Sequence, residues 1–344
     1  MGDMVLTTPL IRALALRFGQ PVDIMSSGDW TRPLLEQQSG VGRMHLITSR
    51  RRPYPLNPPQ WRLVADLRRR GPGPVWLCDE NPAARALLRR AGYGPSEIVA
   101  ATDHPFEPGE HVVDRWLRMA AQTPRTFASL PAAEIDFASL RTPRLTVTPA
   151  ARDDLESWLE SRGLTGRALV LVQPGNKRTM RRFGSRRRAT NVKYWPEERW
   201  AGVIDGILRR LPDAAVLLLG VPVEAALNAD ILRHVNVPGA HNVAGEVPIP
   251  RLLALQERAV GMVSVDTGPA HSAAALDCPL VVLFATADPR EIGPRSHGSP
   301  VMILGGRRDS LLPTTVDEVL AAWDQIERAR PIDSPGNRAG PLTA

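Results

Sequence analysis

Short, uninterrupted apolar stretches alternate with helical stretches along most of the 344-residue chain, and this alternation constrains the fold more than any other feature. Strands that are apolar on both faces are typical of parallel sheets covered by helices on both sides. We therefore expect an α/β fold. The predicted strands are Val22–Ser26, Met44–Ile47, Val75–Cys78, Ala168–Val172, Ala215–Leu219, Val260–Val265 and Leu280–Phe284.

The predicted helices carry clear start and stop signals. One begins at Pro196, has acidic residues in its first turn and ends on Arg209 and Arg210, which is the charge order that the helix dipole favours. The last begins with Thr315-Val-Asp-Glu318, a capping-box pattern. The other predicted helices are Pro9–Phe18, Pro59–Arg70, Pro82–Ala91 and Ala150–Arg162.

The strand-and-helix pattern occurs twice, and the chain is long enough for two domains of ordinary size. We predict domains at residues 1–163 and 164–330, followed by a disordered tail at 331–344 that is rich in Pro, Gly, Ser and Asn. A doubly wound domain normally places a strand before its first helix, yet Met1 directly precedes Gly2 and Asp3. We expect that the first strand is missing because the present start lies downstream of the natural one; the alternative is an impaired variant.

The formal net charge of +7 favours anionic partners, which include nucleic acid, phosphorylated substrates and an acidic membrane face. Cys78 and Cys278 stand far apart, as expected for reduced thiols in a cytoplasmic protein. The longest apolar stretch, Ala214–Leu227, is interrupted by Pro222 and Glu224 and is too short to span a bilayer. Any membrane association is therefore expected to be peripheral.

The segment Ser264–Leu276 has the pattern of an anion-binding turn. An apolar strand ends, Asp266, Thr267 and Gly268 form a turn, and a helix begins whose free backbone N–H groups favour a bound anion. Gly268 would let a phosphate approach the backbone, and the two side chains before it would hold hydroxyl groups. An ordinary helix cap explains the same residues equally well, and His271 alone is better explained as a structural histidine.

Four segments in chain order resemble the family 9 glycosyltransferases, which include the ADP-heptose:lipopolysaccharide heptosyltransferases. They are Gly2–Leu14, Pro174-Gly175, Lys193-Tyr-Trp-Pro-Glu-Glu-Arg-Trp200 and Ser264–Pro294. The resemblance implies a GT-B fold, in which two Rossmann-like domains face each other across a cleft. It further implies an acceptor on the N-terminal domain, a nucleotide sugar on the C-terminal domain, inversion at the anomeric carbon, and neither a metal nor another cofactor.

The resemblance also implies roles for single residues. Asp3 matches the proposed general base, which takes the proton of the attacking acceptor hydroxyl. Taken without the family match, Asp3 is better explained as the N-cap of the first helix. Lys193 matches the lysine whose ammonium stabilises the departing nucleotide, the alternative being a solvated surface lysine.

The remaining predicted donor-binding residues differ in how closely they match the family motifs. Glu224 stands where doubly wound domains often place an acid for ribose hydroxyls, but a solvent-facing glutamate on a helix explains it equally well. The residues that match the donor-contacting loop and helix start are Asp266, Thr267, Gly268 and His271.

Two basic clusters remain. Seven Lys and Arg residues between positions 177 and 188 form either a solvated loop, a phosphate-binding loop beside the donor motif, or a nucleic-acid patch. Phe183 is the one aromatic residue among them, so nucleic acid is not an expected partner. The clusters Arg50–Arg52 and Arg68–Arg70 suit phosphorylated lipid or anionic headgroups.

The sequence thus predicts a cytoplasmic, metal-independent, inverting glycosyltransferase. We expect it to transfer a heptose from an ADP-sugar to a lipopolysaccharide-type or other saccharide acceptor, with possible contact with an anionic membrane. The chain has no Asp-x-Asp pair of the metal-dependent sugar transferases, no phosphate-binding P-loop and no Gly-x-Ser-x-Gly. The alternatives are a GT-B transferase that uses another nucleotide sugar, and a degenerate donor- or nucleic-acid-binding protein without activity.

Overall fold

The computed structural model describes residues 1–47, 53–176 and 191–328. Within them the chain forms two compact units. We call Leu6–Pro143 the N-terminal unit, and Met1–Val5 together with the chain from Arg144 onward the C-terminal unit. The predicted domain boundary between residues 163 and 164 stays a prediction. The basic residues 177–188, the cluster Arg50–Arg52 and the predicted tail 331–344 lie outside the described residues.

The N-terminal unit contains two small parallel sheets. Strand β1 (Val22–Ser26) pairs with β2 (Val41–Leu46), and β3 (Val75–Leu77) pairs with β4 (Ile98–Ala100). One buried cluster lies between α2 and α6, and a second lies under α4 and α5. Helix α1 (Gly2–Leu6) belongs to the C-terminal unit up to Val5. The helices of the N-terminal unit are α2 (Thr8–Phe18), α3 (Thr31–Leu35), α4 (Pro58–Arg70), α5 (Pro82–Ala91) and α6 (Val112–Ala120).

The C-terminal unit is built on a six-stranded parallel sheet with the strand order β10–β9–β8–β5–β6–β7. Its strands are β5 (Leu169–Gln173), β6 (Ala215–Leu218), β7 (Ala240–Asn242), β8 (Gly261–Val265), β9 (Leu280–Phe284) and β10 (Val301–Gly305). Its helices are α7 (Pro149–Ser161), α8 (Glu197–Arg210), α9 (Ala225–Leu232), α10 (Ile249–Arg258), α11 (Gly268–Ala275), α12 (Pro289–Ile292) and α13 (Val316–Arg328).

The four inner strands of this sheet are buried along their whole length, which is why their sequences are continuously apolar. Trp200 of α8 and Trp323 of α13 pack into the same core. Trp195 meets Trp200 edge to face, with ring centroids 5.0 Å apart, and its indole N–H donates to the carbonyl of Thr314 at 3.0 Å. The motif segment before α8 is thereby fixed to the core by a buried hydrogen bond.

The strand order positions the site. From β5 the chain builds the sheet outward through β6 and β7, then returns to the other side of β5 and builds outward again through β8, β9 and β10. Ligands of open parallel sheets bind outside the carboxyl ends of the strands, where the order reverses. In this unit that place lies beside β5 and β8.

The sequence predicted most of these elements. All seven predicted strands are present within three residues of the predicted ends, and every strand pair is parallel. The predicted capping box is confirmed, since the Thr315 N–H donates to Glu318 and the Glu318 N–H donates to the Thr315 hydroxyl. Three short strands were not predicted, namely β4, β7 and β10. The strand expected upstream of Gly2 stays a prediction.

Candidate functional site

Three loops meet at the carboxyl edge of the six-stranded sheet. Gln173 of β5 lies opposite Ser264 of β8, and Val172 lies opposite Leu218 of β6. The three strands therefore end at the same height. The loops that follow them are residues 174–176, which contain the Pro174-Gly175 motif, residues 219–224, which contain Glu224, and residues 266–268, which contain three further predicted donor-binding residues.

The first group in this site is an ion pair between Lys193 and Asp266. The Lys193 ammonium donates to the backbone carbonyl of Asp266 at 2.7 Å and to its carboxylate at 2.5 Å. Nε2 of His271 lies 3.7 Å from the other carboxylate oxygen. Burial alone would raise the pKa of Asp266, but the His271 ring and the Lys193 charge outweigh it and hold that pKa below its ordinary value. Asp266 is therefore a carboxylate, and Lys193 is not a freely solvated side chain.

The start of α11 forms the second part of the site. Thr267 occupies the N-cap position with extended backbone (φ −147°, ψ 170°), yet its side chain makes no capping hydrogen bond. Its hydroxyl lies 3.3 Å from that of Ser264. Since Asp266 is engaged by Lys193, an ordinary side-chain helix cap does not account for these two residues. The hydroxyl of Thr267 therefore does not cap the first N–H groups of α11.

The amino-terminal residues pack directly on this turn. A Cβ atom placed on Gly268 would lie 2.5 Å from the Cβ atom of Met1, and one placed on Gly2 would lie 2.7 Å from Cδ2 of His271. The absence of a side chain on Gly268 thus makes room for Met1. The sequence predicted instead that a phosphate would approach the backbone at Gly268. Asp3, the next residue, is exposed in the first turn of α1. The two residues that precede the predicted base thus lie against the start of α11.

Glu224 forms the third part of the site, at the end of a short 3-10 helix (Pro222–Glu224) after β6. The side chain is buried, so the alternative of a solvent-facing glutamate is wrong. One carboxylate oxygen accepts the N–H of Val221 at 2.8 Å, and the other has no hydrogen-bond partner among the described residues. A Cβ atom on Gly175 would lie 2.5 Å from that second oxygen. Burial raises the pKa of Glu224.

Sequence reasoning missed several residues that shape the site. The side-chain amide of Gln173 donates to the carbonyl of Gly175 at 3.0 Å and fixes the loop after β5. Asn191 accepts the backbone N–H of Lys193 at 3.2 Å, and its amide donates to Asn176 at 3.3 Å. A glutamine that ends an otherwise apolar strand is a signal that sequence analysis could have used. The two asparagines are separated by fourteen undescribed residues and gave no such signal.

Within the described residues, no three His, Cys, Asp or Glu side chains converge in the manner of metal ligands. No described helix has the length and apolar character needed to cross a bilayer.

Comparison with known proteins places this architecture in a family. The model of glycosyltransferase family 9 (heptosyltransferase) matches residues 96–309, more than half of the chain. Lipopolysaccharide heptosyltransferase 1 of Escherichia coli is 34% identical over 131 residues, 37% of this chain and 38% of that protein. Lipopolysaccharide heptosyltransferase 3 of Escherichia coli is 28% identical over 42% of this chain and 38% of its own length. The chain thus aligns with under two fifths of these two relatives.

Other relatives align over nearly the whole chain. Lipooligosaccharide heptosyltransferase 2 of Haemophilus influenzae is 23% identical over 95% of this chain and 96% of that protein. The structure of the Escherichia coli ADP-heptose LPS heptosyltransferase II superposes with a TM-score of 0.71 and 21% identity, covering 95% of this chain and 96% of that chain. A family 9 glycosyl transferase from Veillonella parvula gives a TM-score of 0.72 at 15% identity, covering 96% and 94%.

The structural likeness confirms the predicted GT-B fold. The motifs, the site at the carboxyl edge of the sheet and the family match agree with one another, and the chain belongs to glycosyltransferase family 9, the heptosyltransferase family.

Proposed function

We propose that the protein is an inverting, metal-independent heptosyltransferase that transfers a heptose from an ADP-sugar to a lipopolysaccharide-type acceptor in the cytoplasm. Family membership supports the transferase class, and the names of the relatives support the donor and acceptor. The observation that supports the proposal is the packing of Gly2, the residue before Asp3, on His271, whose ring lies 3.7 Å from the Asp266 carboxylate.

Asp3 is the proposed general base. Its side chain is exposed in the first turn of α1, where an acceptor hydroxyl has access to it. Removal of the hydroxyl proton lets the acceptor oxygen attack the anomeric carbon as the bond to the nucleotide breaks. A single displacement of this kind inverts the configuration at that carbon.

Lys193 and the α11 turn are proposed to take up the negative charge of the departing nucleotide. A donor pyrophosphate would share the ammonium protons that Lys193 now gives to Asp266, while the Asp266 carboxylate keeps the ammonium in place. Backbone N–H groups at the start of α11, which follows Thr267 and Gly268, add to this stabilisation without a cation. Movement of Met1 away from Gly268 would open that backbone to a phosphate.

Glu224 is proposed to bind the ribose of the donor. A buried carboxylate oxygen without a donor is costly, and a ribose hydroxyl would supply the missing hydrogen bond. Gly175 lets the loop after β5 pack closely on this oxygen, since a Cβ atom at position 175 would lie 2.5 Å from it. The C-terminal segment, residues 164–330, would then hold the donor and residues 1–163 the acceptor.

The proposal is tested with the purified protein, ADP-heptose and a lipopolysaccharide-type acceptor that lacks the heptose. We expect turnover that survives EDTA, and a product of inverted anomeric configuration. Asp3→Ala is expected to lower kcat by about 100-fold or more while calorimetry shows unchanged donor binding. Tighter binding of a uridine or guanosine sugar than of ADP-heptose would reject the heptose assignment. Retained turnover in Asp3→Ala would reject the base.

A further inference from the structure

The N-terminal unit exposes an apolar turn that the proposed site does not use. Residues Pro53 to Trp61 form a short 3-10 helix (Tyr54–Leu56) and the first turn of α4. Leu56 is 69% exposed, the largest exposed fraction among the large apolar side chains of the described residues, and Trp61 is 45% exposed. The four prolines of the turn are exposed as well, at positions 53, 55, 58 and 59.

The shape of this turn is fixed by its own hydrogen bonds. The indole N–H of Trp61 donates to the carbonyl of Tyr54 at 2.7 Å, and the buried side chain of Asn57 caps α4 by accepting the Gln60 N–H. The Tyr54 ring packs under the guanidinium of Arg90 at 4.5 Å. The leucine and the tryptophan are therefore held outward. The tryptophan N–H is already satisfied, so that its entry into an apolar medium leaves no bare donor.

Positive charge lies on α4, which the turn begins, and on α5, whose Arg90 packs on Tyr54 of the turn. Four exposed arginines of α4 and α5 have no carboxylate partner among the described residues. These are Arg62, Arg68, Arg89 and Arg90. Asp66 is the one acidic residue from position 53 to position 70, and it is already engaged by Arg69 and His45. An exposed apolar turn with cations on the adjoining helices is complementary to a bilayer that carries anionic phosphates.

We propose that the turn Pro53–Trp61 is a membrane-docking surface. Leu56 and Trp61 enter the interface of an anionic bilayer, where tryptophan is favoured, and the four arginines bind lipid phosphates. The inference deepens the proposed function, since a lipid-linked acceptor lies in such a bilayer, but its test does not depend on turnover.

The test is sedimentation of the purified protein with vesicles. We expect binding to vesicles of phosphatidylglycerol and phosphatidylethanolamine, weak binding to phosphatidylcholine alone, and loss of binding with rising salt. The double variant Leu56→Ser/Trp61→Ser is expected to bind at least about tenfold more weakly. Leu16→Ser, which removes another exposed leucine (55%) from α2 of the same unit, is the matched control and keeps wild-type binding.

The proposed docking surface would be wrong if the double variant bound vesicles as the wild type does, or if Leu16→Ser lost as much binding as the double variant. It would also be wrong if the wild type formed a dimer in lipid-free solution and the double variant were a monomer. Thermal melting shows that each variant is folded. Turnover on a water-soluble, delipidated acceptor separates the two proposals, because it should be the same in the double variant and the wild type. Vesicle binding without any turnover would reject the proposed function and leave the docking surface standing.

Discussion

A methyl group at position 2 tests whether the His271 ring positions the proposed base. In Gly2→Ala the new carbon would stand 2.7 Å from Cδ2 of His271, whereas ordinary contact begins at 3.4 Å. The ring or α1 must therefore give way by about 0.7 Å. The ring is buried against Asp266, so we expect α1 to move and to carry Asp3 with it. Displacement of a reacting group by about 1 Å costs up to about 100-fold in rate.

The assay separates this effect from a loss of binding or of fold. We expect kcat at saturating substrates to fall by about 10- to 100-fold in Gly2→Ala, while the calorimetric Kd for the donor stays within about threefold, because the Lys193 and Glu224 contacts are untouched. Gly298→Ala is the control, since the space around Gly298 is open. Wild-type kcat in Gly2→Ala would refute the reasoning, and so would a loss confined to the donor Kd.

Three further predictions concern the ion pair and the buried acid. Lys193→Gln should weaken donor binding by about 10- to 100-fold in calorimetry and leave adenosine binding unchanged; equal losses for both would contradict the phosphate contact. Asp266→Asn should lower the free energy of unfolding in urea by about 1–3 kcal/mol at pH 7, because Lys193 loses its carboxylate partner. The pKa of Asp266 is held below its ordinary value of 3.8, so that difference should be complete above pH 3.8 and be lost as the pH falls from there through the lowered pKa. The pKa of Glu224 is raised above 4.5, so wild type should lose stability relative to Glu224→Gln as the pH rises through that raised value, and parallel pH profiles would refute this.

Elements with strong internal patterns were predictable from the sequence. The buried strands β5, β6, β8 and β9 are continuously apolar because helices cover both faces of the sheet. Strands β4 and β7 have three residues each, and β7 and β10 lie at the edges of the sheet, where half-buried residues carry little pattern. Their strand character comes from backbone pairing with distant residues, which no local signal shows.

The site was predictable where its residues belong to local sequence motifs, and not where it depends on contacts between distant residues. Lys193 and Asp266 each belong to a recognisable motif, although the hydrogen bond between them joins residues 73 positions apart. The burial of Glu224 depends on the loop after β5, and the contact of Gly2 with His271 depends on packing between elements at opposite ends of the chain. Local sequence carries neither fact, so the structure was needed to find them.

The reversal of strand order beside β5 has a consequence for how the donor preference of such a transferase can change. The site is formed by separate loops at the carboxyl edge of the sheet. The loop after β6 carries Glu224, and the loop after β8 carries Asp266. Under the proposed donor contacts, replacing the first segment would alter the contact with the nucleoside and leave the proposed phosphate-binding residues unchanged. With those contacts, we expect that donor preference can diverge among homologues, or be redirected by design, through changes in a single loop.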